Sequence, residues 1–403
     1  MVQKDYENKS NEKNLTLEGV TMKKRIFNFF IILAVLFACC VNCQTKVFAA
    51  NVEETSADQF LYQYNSTYQG IELKKYLGKV ALVNIPAEIY GVPVTAIGDE
   101  CFCENKNLQA LTMPDTVVSI GEQAFYHCYE LENISLSKNL KSIGKWAFVS
   151  CKIKSVDMPD SLTFLGEAAF GWCESLEKVI CSNGLTELNG TFSSCLNLKT
   201  IYISSTSQLT KIGNDTFSYC PIGTITIPAS VTEIGNDAFS GSLDQLTFPK
   251  DSNLKKIGDG AFSYCNFEKV ILPASLEEMG TRVFYNCDKL KKISFEKNAK
   301  IKKIPSLAFA ACIKLKEVDI PENVTEIGDI LFIDRHEDNG YGAIKKINIK
   351  GGKIKKIAKK AFKGLVKKGT ITVPNKYKKK YTKMFKKQKW YKKTMKIKAV
   401  KKI

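Results

Sequence analysis

The side chains that could do chemistry in this 403-residue chain are few: two histidines, His127 and His336, and 14 cysteines. Catalysis needs several such groups within a few ångströms of one another. The two imidazoles are separated by nine copies of a repeat described below, and at about 4.8 Å per copy that is over 40 Å. Among the residues that alternate with buried positions along the repeat, only Asp157 and Asp319 carry carboxylates. They lie seven copies, or roughly 34 Å, apart, too far to act as an acid and base pair. Cys101-Phe102-Cys103 has no second Cys pair and no clustered histidine, so it is a poor metal site. The sequence holds no G-x-S-x-G, H-E-x-x-H, phosphate-cradling or dinucleotide loop, so neither enzymatic activity nor a cofactor is expected.

What organises these residues is a period. Phe102, Phe125, Phe148, Phe170, Phe192, Phe217, Phe239, Phe262, Phe284, Phe309, Phe332 and Phe362 follow one another at intervals of 22 to 30 residues. A unit near 23 residues is too short to fold alone and suits one rung of a stacked coil. Before each phenylalanine stands an Ile-Gly or similar pair, as in VVSIGEQAFYHC up to Cys128 or SLEEMGTRVFYNC up to Cys287. Between these blocks runs L-x-x-V-x-I-P, as in Leu315, Val318, Ile320 and Pro321. Its alternation predicts a short half-buried strand closed by proline. The glycine suits a tight turn, and A-F-x-x-C suits one inward-facing helical turn.

This frame resembles the BspA-type leucine-rich repeat of bacterial surface proteins, over roughly residues 80–374. The resemblance implies an α/β fold: a right-handed solenoid with short parallel strands and short helical turns. It also implies a surface protein, some relatives being adhesins. The rung at Leu188–Phe192 is one residue short, Ile304 is followed by Pro305 in place of glycine, and the rung before Phe362 carries a polar insertion at residues 334–343, expected to be a surface loop.

Eight cysteines, Cys128, Cys151, Cys173, Cys195, Cys220, Cys265, Cys287 and Cys312, stand three residues after a phenylalanine. Ser242 and Leu365 take that place elsewhere, so the position reads as a slot for a compact side chain. Neighbouring copies would sit about 5 Å apart, within disulfide range, but with parallel Cβ vectors that disfavour the bridge. Buried free thiols are expected.

At the N-terminus, Lys23-Lys24-Arg25, an apolar stretch at residues 26–41 and Val47-Phe48-Ala49 read as a secretory signal peptide, with Met22 as the expected true start and Ala50 as the mature N-terminus. Leu36-Phe37-Ala38-Cys39 approaches a lipidation box, but Phe37 is too bulky for it. The expected organisation is an extension and leader at 1–49, a hairpin cap at 50–79, the solenoid at 80–374 and a lysine-rich cap at 375–403. No membrane span is expected after cleavage. The protein is expected to be secreted and associated with the cell surface.

Net charge is +18, and it is concentrated at one end. Residues 345–403 hold 25 lysines and no acid, leaving 34 basic and 41 acidic residues, a net charge of −7, in the first 344. Tyr377, Tyr381 and Phe385 are spaced for one helical face, so the end reads as a lysine-faced helical cap. Lys376, Lys378, Lys379, Lys380, Lys383, Lys386, Lys387, Lys389, Lys392 and Lys393 are candidate contacts for a polyanion such as wall teichoic acid, anionic headgroups or a glycosaminoglycan. For a secreted chain, nucleic acid is not expected as a natural partner. Along the strand row Thr112, Ser135, Asp157, Ile180, Tyr202, Thr226, Thr247, Ile271, Ser294, Asp319, Asn348 and Thr372, the pair Ile180 and Tyr202 stands out as an anchor for an extracellular protein or glycan. Two functions follow: an adhesin-like binding protein, or a passive envelope component held by its lysines. A carbohydrate-binding accessory subunit is a third reading, with Tyr202 as its one aromatic platform on the sheet face.

Overall fold

A computed structural model describes residues 53–329, 331, 344–362 and 365–401. The leader, Phe332, His336 and the insertion at 334–343 lie outside the described residues. The remainder is a parallel β-solenoid, as the repeat implied.

Each rung contributes two strands. L-x-x-V-x-I-P forms the longer one, for example Lys269–Leu272, Lys292–Phe295 and Glu317–Ile320, paired in parallel and in register. Its alternating Val270 and Leu272 are buried because a strand sends successive side chains to opposite faces. The closing proline gives the strand no further N–H and opens a turn instead: Val231, Leu276 and Val324 donate their N–H to Pro228, Pro273 and Pro321.

The Ile-Gly pairs correct one expectation. They form a second parallel ladder of two-residue strands, such as Lys211–Ile212, Glu233–Ile234 and Lys256–Ile257. The glycine serves close approach between rungs, not a turn. A Cβ on Gly144 would lie 2.5 Å from both Glu122 N and Gly121 C. Asn189, Pro305 and Ala358 occupy the same place in three rungs.

The A-F-x-x-C segments also differ from expectation, being chained tight turns and not helix. The residues two before and two after each phenylalanine from Phe102 to Phe309 adopt left-handed backbone, as at Gln123 and His127 (φ 53° and 57°) or Asp215 and Tyr219 (φ 52° and 59°). This lets every second N–H reach the next rung: Gln123, Phe125 and His127 donate to Lys145, Ala147 and Val149. A helix would have spent those donors within the rung, leaving the rungs unconnected on this side.

Ten consecutive phenylalanines, Phe102 to Phe309, form a buried column with ring centroids 4.9–6.0 Å apart and interplanar angles of 5–23°. Burial of each stabilises by about 1.5–3 kcal/mol. Aromatics seal both ends. At the start, β1 (Phe60–Asn65) and β2 (Gly70–Tyr76) form an antiparallel hairpin, placing Phe60 and Tyr76 6.3 and 5.0 Å from Phe102. Asn65 Oδ1 holds the hairpin turn by accepting from Thr67 and Tyr68 N–H. At the other end, Phe362 meets Trp390 at 4.9 Å and Phe385 at 6.4 Å.

The one α-helix among the described residues, α1 (Lys378–Lys386), buries Tyr381 and Phe385. Tyr381 Oη donates to Gly351 O at 2.7 Å, and burial pushes its pKa up to about 12. The sheet continues past residue 374: Lys396–Val400 pairs in parallel with Leu365–Pro374.

Two substitutions test this packing. Phe217→Ala should cost roughly 3–5 kcal/mol of stability, because the stacked neighbours cannot collapse into the gap. A thermal melt unchanged from wild type would overturn the column as the core. Gly144→Ala should cost about 1–3 kcal/mol by forcing rungs apart, seen as a lower denaturant midpoint, and an unchanged midpoint would refute the close-approach reading.

Candidate functional site

Three surfaces run along the coil: the long-strand face, the second ladder and the turn edge. On the first, the row expected from sequence is in register. Asp157, Ile180 and Tyr202 are paired neighbours, as are Thr112 with Ser135, Thr226 with Thr247, and Asp319 with Asn348 and Thr372. Ile180 and Tyr202 are therefore brought side by side, with Tyr202 60% exposed and Ile180 half-buried. Burial raises the pKa of Asp157 beside them.

Ile271 is equally exposed, at 60%, and was not singled out by the sequence pattern. It follows a run of small hydroxyl residues, so no neighbour in the row marked it. Toward the C-terminal end the row closes on itself. Asn348 Nδ2 donates to Asp319 Oδ1 at 2.7 Å, Thr372 Oγ1 donates to Asn348 Oδ1, and Lys350 pairs with Asp319 at 2.9 Å. Asp157 and Asp319 stay on separate rungs.

The second ladder carries rung-to-rung ion pairs, such as Lys211–Glu187 at 2.7 Å and Lys256–Glu233 at 3.2 Å. Exposed pairs of this kind contribute about 0–1 kcal/mol each. A depression of about 830 Å³ on this side is lined by Glu277, Glu278, Lys300, Lys302, Lys303 and Lys353, a mixture of signs.

The cysteine slot has a chemical reason that spacing alone did not show. Each thiol donates to the carbonyl of the phenylalanine one rung back. Cys151 reaches Phe125 O at 3.2 Å, Cys195 reaches Phe170 O at 3.1 Å and Cys287 reaches Phe262 O at 3.1 Å. Ser242 makes the same contact to Phe217 O, which is why serine substitutes. The eleven cysteines at described residues are all free, and Cys103 alone among them is not buried. Burial pushes Cys128, Cys173, Cys181 and Cys265 up to about 12.

His127 sits between two rings, 3.8 Å from Tyr126 and 5.0 Å from Tyr129, with no carboxylate in its stack. Among the described residues no group of His, Cys, Asp and Glu is placed to hold a metal, and no helix is long and apolar enough to cross a membrane.

All ten candidate lysines of the end are exposed. Lys380 Nζ donates to Gly352 O at 2.6 Å, and Lys376 lies over the Tyr377 ring at 5.8 Å. Lys378, Lys379 and Lys380 occupy the first turn of α1, with no acid there. Cations at that end oppose the helix dipole and cost about 0.3–1 kcal/mol each.

The family model of the BspA type leucine-rich repeat region, in six copies, matches residues 95–221, 210–337 and 339–403. The chain belongs to this family. Solved structures similar to it include a leucine-rich cell surface protein from Faecalibacterium prausnitzii, 28% identical with a TM-score of 0.48, covering 76% of this chain and 94% of that one. A leucine-rich repeat protein from Bacteroides ovatus is 24% identical with a TM-score of 0.48, covering 87% and 100%. The pneumococcal vaccine antigen PcpA is 18% identical with a TM-score of 0.48, covering 86% and 91%. No curated protein matches the chain.

The thiols give a pH prediction. An unfolded cysteine ionises near pH 8.5, whereas the buried ones hold their protons to about 12. Stability is therefore full below about pH 8.5 and falls as pH rises toward 12, by up to about 1.4 kcal/mol per thiol per pH unit. The melting temperature should drop steeply above pH 9, and less steeply in a Cys173→Ser, Cys265→Ser variant that keeps the donor. Equal slopes in the two proteins would show that the thiols are not responsible.

Proposed function

We propose that this leucine-rich repeat protein is a non-catalytic cell-surface protein that binds extracellular protein or glycan along its coil and grips anionic polymer with its lysine end. One observation carries the second part. The last rungs and the cap gather 25 lysines with no acid, including three where the helix dipole disfavours them. A cap needed only for solubility would be served better by acids in that turn. The resulting field attracts phosphate or sulfate chains and is weakened by salt.

The structural alternative is specific. Lys396 and Lys398 lie exposed on the last strand of the sheet, and lysine on an edge strand prevents pairing with other chains. On this reading the end is only a soluble cap, and the protein is a passive part of the envelope.

Deleting residues 375–403 would remove Phe385 and Trp390 from Phe362, so charge substitution is the sounder test. Lys378, Lys379, Lys383, Lys386, Lys387 and Lys393 are replaced together by glutamine, and binding to teichoic-acid-bearing cell wall and to heparin is measured at two salt concentrations. Wild-type binding should fall at least tenfold between about 0.05 and 0.3 M salt, and the variant should bind weakly at both. Retention of wild type unaffected by salt, or full binding by the variant, would leave the lysines as cap alone.

A further inference from the structure

The turn edge carries a second aromatic series, exposed and outside the buried column, in which Tyr264 meets Tyr285 edge-on at 5.8 Å. Two residues after the phenylalanines from Phe125 to Phe284, successive rungs present His127, Ser150, Trp172, Ser194, Tyr219, Gly241, Tyr264 and Asn286, with Glu104 before and Ala311 after them. Rings alternate with small residues without a break. Trp172 is 49% exposed, Tyr219 61% and Tyr264 46%.

Each of these residues has left-handed backbone, at φ 55° for Trp172 and 59° for Tyr219 and Tyr264. Glycine and asparagine adopt that conformation at least cost, and Gly241 and Asn286 take this place in two of the rungs without a ring. An exposed ring there gains little from the core. The backbone beneath is rigid: Trp172, Tyr219 and Tyr264 donate their N–H to Ser193, Ser240 and Tyr285 on the next rung.

Rungs advance about 4.8 Å, so rings on every second rung stand roughly 10 Å apart, the repeat of two sugars in an extended β-1,4-linked chain. The charge along this stretch also suits a neutral ligand. From two residues before to four after the phenylalanine, the five rungs at Phe170 to Phe262 contain no lysine or arginine. They contain Glu174, Asp215 and Asp237, all exposed and able to accept from hydroxyls. Partial desolvation where they rest against the edge of the coil raises the pKa of Asp215 and Asp237, although both remain exposed.

We infer that Trp172, Tyr219 and Tyr264 form a ridge that binds an extended, neutral β-linked polysaccharide, one ring to each disaccharide. The inference rests on the surface-binding role proposed above, and it is separate from the lysine cap in both location and charge. Flat aromatic side chains lose little conformational freedom on binding, which suits them to such platforms.

The test uses the full mature chain and β-1,4-linked oligosaccharides derived from cellulose, chitin and xylan, two to eight units long, with affinity measured by calorimetry. Three rings span four rung-to-rung steps, or about 20 Å, so affinity for one of these series should climb with each added disaccharide and level off once the three rings are covered. Changing Trp172, Tyr219 or Tyr264 singly to serine, the residue of alternate rungs, should weaken binding about tenfold per ring, as loss of a stacking platform does. Ser194→Ala, between the rings, should change little. Heparin and wall binding should be unaffected in the three ring variants, so a failure here is distinguishable from a failure of the anchor. No binding of any series, or binding equal in the triple variant, would overturn the proposal. So would preferential capture of single-stranded nucleic acid.

Discussion

A coil that advances by one β-spacing per turn sets every side chain against its own counterpart on the next turn, and this constraint shapes the whole molecule. A residue type survives at a given position only if it packs against a copy of itself or a near relative. Phenylalanine does so by offset stacking, at 4.9–6.0 Å over ten rungs. Cysteine does so by turning its thiol to the carbonyl one rung back, which accepts without needing a different residue as partner. Asparagine and aspartate beside the Ile-Gly ladder do likewise: Asn214, Asn236 and Asp259 each accept the N–H of the equivalent residue ahead. Glycine survives by having nothing to place in the gap.

Charge obeys the same rule in the body and departs from it at the end. Lysine stacked on lysine at this distance is repelled, so many body lysines sit over glutamates, as Lys256 does over Glu233, and where Lys269 does pair with Lys292 the next rung supplies Glu317. After Lys356, which still reaches back to Glu326, the chain supplies no further acid. The final strands separate their cations with neutral residues instead: Lys346, Thr370 and Lys396 follow one another in register. The sheet thus tolerates the lysines while α1 exposes its own without any such spacer, and the positive field grows toward that end.

How much of this was legible in the sequence divides along physical lines. The phenylalanine column, the long strands, the row from Thr112 to Thr372 and the aromatic seal at Tyr381 and Phe385 all leave periodic apolar marks. The second ladder left only Ile-Gly, whose glycine suggested a turn because close backbone approach and positive φ call for the same residue. The left-handed turns were hidden because Gln123, Trp146, Arg282 and Leu307 are not residues that announce that conformation. Their φ is imposed by hydrogen bonds to the next rung, which no local pattern contains. Lys396–Val400 falls inside what reads from sequence as a helical cap, because five residues rich in lysine carry little apolar signal, yet it pairs with the edge of Leu365–Pro374.

The turn edge is hidden in the sequence for a related reason: its aromatics are spaced by two rungs, and the single-rung period does not contain them. That doubling separates them from everything else in the molecule. The buried phenylalanines occupy every rung and stabilise one another by contact. Trp172, Tyr219 and Tyr264 skip a rung each time, which puts them beyond stacking distance of each other. Local contacts hold single rings, Tyr264 edge-on to Tyr285 at 5.8 Å and Tyr219 over Gly241, and neither contact links one ring of the series to the next. Rings held at fixed intervals, on a rigid edge and out of mutual reach, acquire a shared partner only when something longer than two rungs lies across them.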